Sequence, residues 1–381
     1  MKIRRLCTII ILFVLLLPPS VYALDVQYSE ADKVGKQVEK YTNPGFEQIV
    51  PNFNPKSIIS DAVGGKFKFD ISGIINRVIA YIFKEVYQNI DVLLKLVLLV
   101  LLSAVLKNLR TAFLEGGASE LAFYVCYIVT VSVLVVGFST VIELGQDIID
   151  GMVNFMYATL PVLIGLLMTG GNLVSGSVFS PLLLTVVNIS ATIVRNVFIP
   201  LMFLYAMLCS VDNISEKIKV SKLASLIKTI TLWGMGTSLT VFIAIVSLQG
   251  SFGAVIDGVT SKTTKYMISA LVPVAGKYLA DAADSVIGCT LLIKNGAGLL
   301  AMVGILAVCL VPILKMLALV LLYKAACAIT EPISEGRMTK CINDVAGAMT
   351  LVVAAVSSVA FMFFICIAVI IGAGNVSAMI R

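Results

Sequence analysis

Lys277, Asp281 and Asp284 are spaced to share one face of a helix inside an otherwise apolar stretch. At roughly 100° per residue they fall, with Gly288, within about 60° of one another. Ile268, Ala275, Leu279, Val286 and Ile287 take the opposite side. Pro273 suits the first turn of such a helix. Lys277 and Asp281, four residues apart, can partly neutralise each other, which leaves Asp284 in need of a partner. Arg195, the lone cation of another apolar run, is the candidate to pair with Asp281 or Asp284. Lys315 is a lesser candidate of the same kind. Such a strip could line an aqueous path or a helix–helix seam within a bilayer. It could equally belong to a helix lying flat at the interface with its charges in water. A polar loop, Gln249–Lys265, precedes the strip and carries Asp257, Gly258, Lys262 and Lys265.

Other chemistry is excluded by composition. The 381 residues include no histidine. Ser-His-Asp and Cys-His catalysis and His-ligated metals are therefore ruled out. The eight cysteines are scattered, none in a C-x-x-C pair, and most lie in apolar runs where Cys acts as a small hydrophobe. A disulfide framework is not expected. No G-x-x-x-x-G-K-[ST] string occurs, so the chain is not expected to hydrolyse nucleotide. Gly296 to Ala301 matches G-x-G-x-x-A as a string, but it opens an apolar span and follows no strand. Asp281 and Asp284 could in principle do acid–base work, as in an intramembrane aspartyl protease, yet nothing places a substrate beside them. The pattern predicts no enzyme, no cofactor and no metal.

The elements that must position the strip are membrane helices. Hydrophobic residues make up 59% of the chain and charged residues only 13%, against roughly 25% charged in soluble domains. This predicts an all-α, polytopic helical membrane protein. The net charge is +6, of which Lys2, Arg4 and Arg5 supply three, so there is no nucleic-acid footprint. Residues 1–23 read as a signal peptide: a basic start, an apolar core from Leu6 to Leu17, and Val21-Tyr22-Ala23 before the cleavage point. Residues 24–90 are polar and neutral, and read as an extracytoplasmic segment ending in an amphipathic helix over Ile71–Ile90. Residues 91–381 form the multi-pass domain.

Spans are predicted at Val92–Leu106, Leu121–Leu144, Phe155–Met168, Leu182–Leu208, Thr231–Leu248, Leu299–Leu322 and Leu351–Ile371. About seven crossings result, with six or eight as alternatives. Lys107 and Arg110 mark a cytoplasmic end, and so do Lys217, Lys219, Lys222 and Lys228. Strict alternation of seven spans puts that second basic loop outside. The conflict implies that the third or the fourth segment does not fully cross.

Pro161 and Pro200 are 39 residues apart, as are Pro273 and Pro312. Laying 161–200 on 273–312 gives seven identical positions in forty, Gly176/Gly288 among them. These residues, with Gly276, set backbone shape. They suggest a duplicated broken-helix hairpin, inverted if three apolar segments lie between the two starts.

Several runs carry a family resemblance. They are Leu106 to Phe113 (LKNLRTAF), Gly236 to Gly250 (GTSLTVFIAIVSLQG), Asp257 to Lys262 with Lys265, and Val272 to Lys277 followed by Asp281, Asp284, Gly288, Lys294 and Gly296. In these the chain resembles the stage III sporulation protein AE family of endospore-forming bacteria, over nearly its whole length. The resemblance implies a multi-pass component of the mother-cell membrane around the engulfed forespore. There, with other stage III sporulation proteins of the same operon, an ATPase among them, and a forespore membrane protein, it would form a channel or secretion-like complex needed for forespore development and late forespore gene expression. It carries over no catalytic residue. The alternative reading is a secondary transporter or small-molecule permease built on the inverted repeat.

Overall fold

A computed structural model describes residues 19–51, 53–55, 57–58, 71–113, 118–214, 219–271, 276–333 and 336–380. Every regular element among them is a helix, as an all-α membrane protein requires. In chain order they are α1 (Pro19–Tyr41), α2 (Phe46–Ile49), α3 (Ile71–Gln88), α4 (Ile90–Phe113), α5 (Ala118–Thr169), α6 (Leu173–Ile193), a π-turn (Val194–Phe198), α7 (Ile199–Asp212), α8 (Ser221–Leu271), α9 (Gly276–Thr330) and α10 (Gly336–Ile380). The predicted amphipathic helix is α3. It meets α4 at a 52° bend. The predicted signal segment, residues 1–23, falls partly on residues 1–18, outside the described residues, and partly on the start of α1.

Among the described residues, five helices are long and apolar enough to cross a membrane, or six if the bent α3–α4 pair counts as one span. Six lies within the expected range of six to eight, and the described residues give one fewer than the seven expected. The predicted second and third spans, 121–144 and 155–168, are one helix, α5, of 52 residues. Glu143, Asp147 and Asp150 lie on it rather than in a loop. At 1.5 Å per residue α5, α8, α9 and α10 run about 68–83 Å, more than twice the roughly 30 Å hydrocarbon layer. Pro161 and Pro312 sit inside α5 and α9 without ending them.

The core is built on α9 and α10. α9 buries 61% of its most apolar window, against 28% for α8. Val352, Val356, Val359, Met362, Phe363 and Cys366 on α10 are fully buried, so the bundle axis is filled by side chains. Close approach depends on small residues. A Cβ at Gly250 would collide with Val369, one at Gly298 with Ile371, and one at Gly304 with Phe155 and Val38. This is the small-residue packing expected where lipid removes the hydrophobic drive between helices. α1 is part of this core. Its Val34 and Val38 are buried, and Tyr41 packs edge-on against Phe155 with centroids 6.1 Å apart.

The repeat is not borne out as a pair of hairpins. Residues 161–200 form a helix, a turn at Gly170-Gly171 and a second helix, whereas 276–312 lie in the single helix α9. Pro273 lies outside the described residues. Gly276 opens α9, and Gly288 is exposed with no neighbour within 4 Å, so neither shapes a matching turn.

Merging two predicted spans also removes the charge conflict, because α5 goes across once and α6–α7 returns. In a cysteine-free background, Lys107→Cys, Lys222→Cys and Glu331→Cys should label with a membrane-impermeant maleimide from one side, and Thr169→Cys from the other. Labelling of Lys107→Cys and Lys222→Cys from opposite sides would contradict this topology.

Candidate functional site

Polar groups gather at three heights along the bundle, and each solves a local electrostatic problem. At the turn between α5 and α6, four α6 amides lack helical acceptors. Asn172, the residue before α6, makes no side-chain cap. The acceptor comes instead from α8: Asp257 Oδ1 receives the Val174 amide at 2.9 Å and Oδ2 the Ser175 amide at 2.9 Å. Asp257 is 2% exposed, so this is a buried carboxylate held by amides and the positive end of a helix. The predicted loop 249–265 is therefore corrected: it is uninterrupted helix within α8. Gly258 is buried beside Asp257, Lys262 is exposed and Lys265 half-buried. The Gly and Asp residues that suggested a loop serve helix packing and capping.

Near the same end lies Lys294 on α9, 1% exposed. Its Nζ donates to the Ile371 carbonyl of α10 at 2.9 Å. A carbonyl has a second lone pair free for such a bond while it stays in its helix. A Cβ at Gly374 would collide with that Nζ and crowd Leu167 and Leu291. The family-like run includes Lys294, but its charge gave no sign of burial. The available signal was a single lysine between two apolar runs.

At mid-height Arg195 pairs with Asp150 of α5, Nη2 to Oδ2 2.9 Å. The expected pairing with Asp281 or Asp284 is thus corrected. Arg195 lies 22 residues beyond the start of α6, about 33 Å along the bundle, whereas Asp281 and Asp284 are at the start of α9, near the opposite end of that path. Lys277, Asp281 and Asp284 lie on the helical backbone of α9, but their side chains are outside the described residues. Arg195 occupies the π-turn, where the Ile199 amide donates to the Val194 carbonyl five residues back. Pro200, which has no N–H, follows immediately, and the wide turn accommodates it. Lys315 approaches Glu85 of α3 at 3.9 Å, which joins the N-terminal helices to α9.

The opposite end repeats the capping device. Asp212 Oδ1 accepts the Val220 and Ser221 amides at 2.7 and 2.8 Å, where α8 begins. Lys340 lies 3.9 Å from its other oxygen. The Tyr127 hydroxyl donates to the Ser210 carbonyl at 2.7 Å, and Asn213 donates to Asp344 at 3.3 Å. Among the described residues no cluster of His, Cys, Asp or Glu could hold a metal. These contacts hold helices in register.

Two variants test this reading. Asp257→Ala should speed amide exchange at Val174 and Ser175 and cost roughly 1–2 kcal/mol of stability, the usual size of a lost cap; unchanged exchange at both amides would contradict it. Gly374→Ala should lower the unfolding temperature in detergent, and adding Lys294→Met should recover most of that loss, because the two share one volume. Strictly additive effects would count against that shared volume.

The family model for stage III sporulation protein AE matches residues 53–374. Stage III sporulation protein AE of Bacillus subtilis (strain 168) is 31% identical over 352 residues, covering 92% of this chain and 88% of that protein. No solved structure matches.

Proposed function

The chain belongs to the stage III sporulation protein AE family, and from that premise we propose that it is a scaffold or pore-forming subunit of a channel or secretion-like complex between mother cell and forespore. It sits in the mother-cell membrane facing the forespore and supports forespore development and late forespore gene expression. Its partners are other stage III sporulation proteins of the same operon, including an ATPase, and a forespore membrane protein. The single observation that carries this is the family match across residues 53–374.

The structure adds physical support. Val352, Val356, Val359 and Phe363 pack the bundle axis, which fits passage through an assembly with other chains rather than through one copy. The absent nucleotide loop fits an energy source on a separate subunit. The basic segments around Lys107–Arg110, Lys219–Lys228 and Lys324–Lys340 share one end and face the mother-cell cytoplasm by the positive-inside rule. The first residues after the signal and the C-terminus then face the space between the two membranes. The transporter alternative rested on an inverted repeat, and the single helix over 276–312 removes that basis.

The deciding experiment is an in-frame deletion in the sporulating host, with a late forespore-specific reporter and affinity capture of the tagged chain. Deletion should silence the reporter after engulfment, and capture should recover the other stage III proteins. Normal reporter activity, or capture of the chain alone, would contradict the proposal.

A further inference from the structure

A lateral groove of about 480 Å³ opens between α4, α5 and α9. Its apolar wall includes Val133, Val136 and Leu319, and its polar points are Asn89, Lys95, Ser132 and Thr140. Tyr323 closes the back. That side chain is fully buried, yet its hydroxyl has no hydrogen-bond partner. Gly137, also in the wall, is what leaves the hydroxyl room, since a Cβ there would collide with it. A buried hydroxyl without an acceptor costs roughly 1–3 kcal/mol, so it signals a missing partner.

Charge is ordered along the groove. Lys95 is exposed at its side and makes no ion pair among the described residues. On α5 the exposed positions Ser132, Val136, Thr140, Glu143 and Asp147 follow one another at spacings of three and four, so they form one stripe. The two carboxylates therefore stand one and two turns beyond the groove. The contact of Lys315 with Glu85, together with the seat of Gly145 against Met316, puts the α3–α4 elbow at the height of Glu143 and Asp147. Exposed carboxylates on a membrane helix face water or a cationic partner, not lipid tails.

We propose that this groove binds a membrane phospholipid whose headgroup carries an ammonium, with its phosphate at Lys95, an ester carbonyl on the Tyr323 hydroxyl and its ammonium at Glu143 and Asp147. An acyl chain follows Val133 and Val136. A purely anionic headgroup meets repulsion from the two carboxylates. A free phosphate leaves the apolar wall bare. The site stands apart from the sporulation reading, and its test needs no sporulating cell.

The test is native mass spectrometry of the full-length chain, purified in detergent and equilibrated with vesicles of phosphatidylethanolamine, phosphatidylglycerol or both. One retained phosphatidylethanolamine is expected, preferred over phosphatidylglycerol by about tenfold, the factor given by one charge-assisted contact. Lys95→Leu should lower retention of both lipids. Glu143→Gln with Asp147→Asn should abolish the preference while retention persists. Val136→Trp, at a position already 69% exposed, should block retention without endangering the fold. No retained lipid, equal or greater retention of phosphatidylglycerol, or retention untouched by Lys95→Leu and Val136→Trp would overturn the proposal. Recovery of a peptide in place of lipid would do the same.

Discussion

Two amides at the start of α6 bind one carboxylate on α8, and much of the architecture depends on that contact. Asp257 is 36 residues from the start of α8, so the helix must run unbroken for about 54 Å to deliver it. Once delivered, it fixes the α5–α6 turn against α8. Asp212 performs the same service at the other end for α8 itself. Two aspartates thus register three long helices by meeting backbone groups that would otherwise be orphaned in an apolar bundle.

Three cations meet the same constraint, each at its own height. Arg195 has Asp150, Lys315 has Glu85, and Lys294 has a backbone carbonyl with a glycine making room. Cations and acceptors come from different helices in every case, so these contacts couple α5 to the π-turn, α3 to α9, and α9 to α10. The long helices exceed the roughly 30 Å hydrocarbon layer, and α1 packs on α5 and α9 through Val38 and Tyr41.

Much of this was legible in the sequence. Composition gave a helical membrane protein, the spacing of Ile74, Val78, Ile82 and Val86 gave α3, and basic residues marked the ends that share a side. The failures have a common cause. Gly250, Asp257 and Gly258 were read as loop residues from local propensity, but they answer to neighbours distant in sequence: Val369 presses on Gly250, and the α6 amides recruit Asp257. Glu143, Asp147 and Asp150 interrupt the apolar run between the two predicted spans, yet at spacings of four and three they share one face of a single helix. Arg195 had several acids to choose from, and only helix length decides among them. The prolines suggested breaks, yet Pro161 and Pro312 stay within helices and only Pro200 accompanies a change of pitch. Lys294 had no local signature, since its partner is a main-chain oxygen 77 residues away.

Family membership supplies the biological setting, and the continuity of α8 supplies the frame that makes the rest coherent. The most direct measurement is the distance between spin labels at Lys228 and Lys262, both exposed on α8, by pulsed electron paramagnetic resonance on the reconstituted chain. Thirty-four residues of unbroken helix predict a narrow distribution centred near ~51 Å. A broad distribution at markedly shorter distance would mean a loop between the two labels, and would contradict the account.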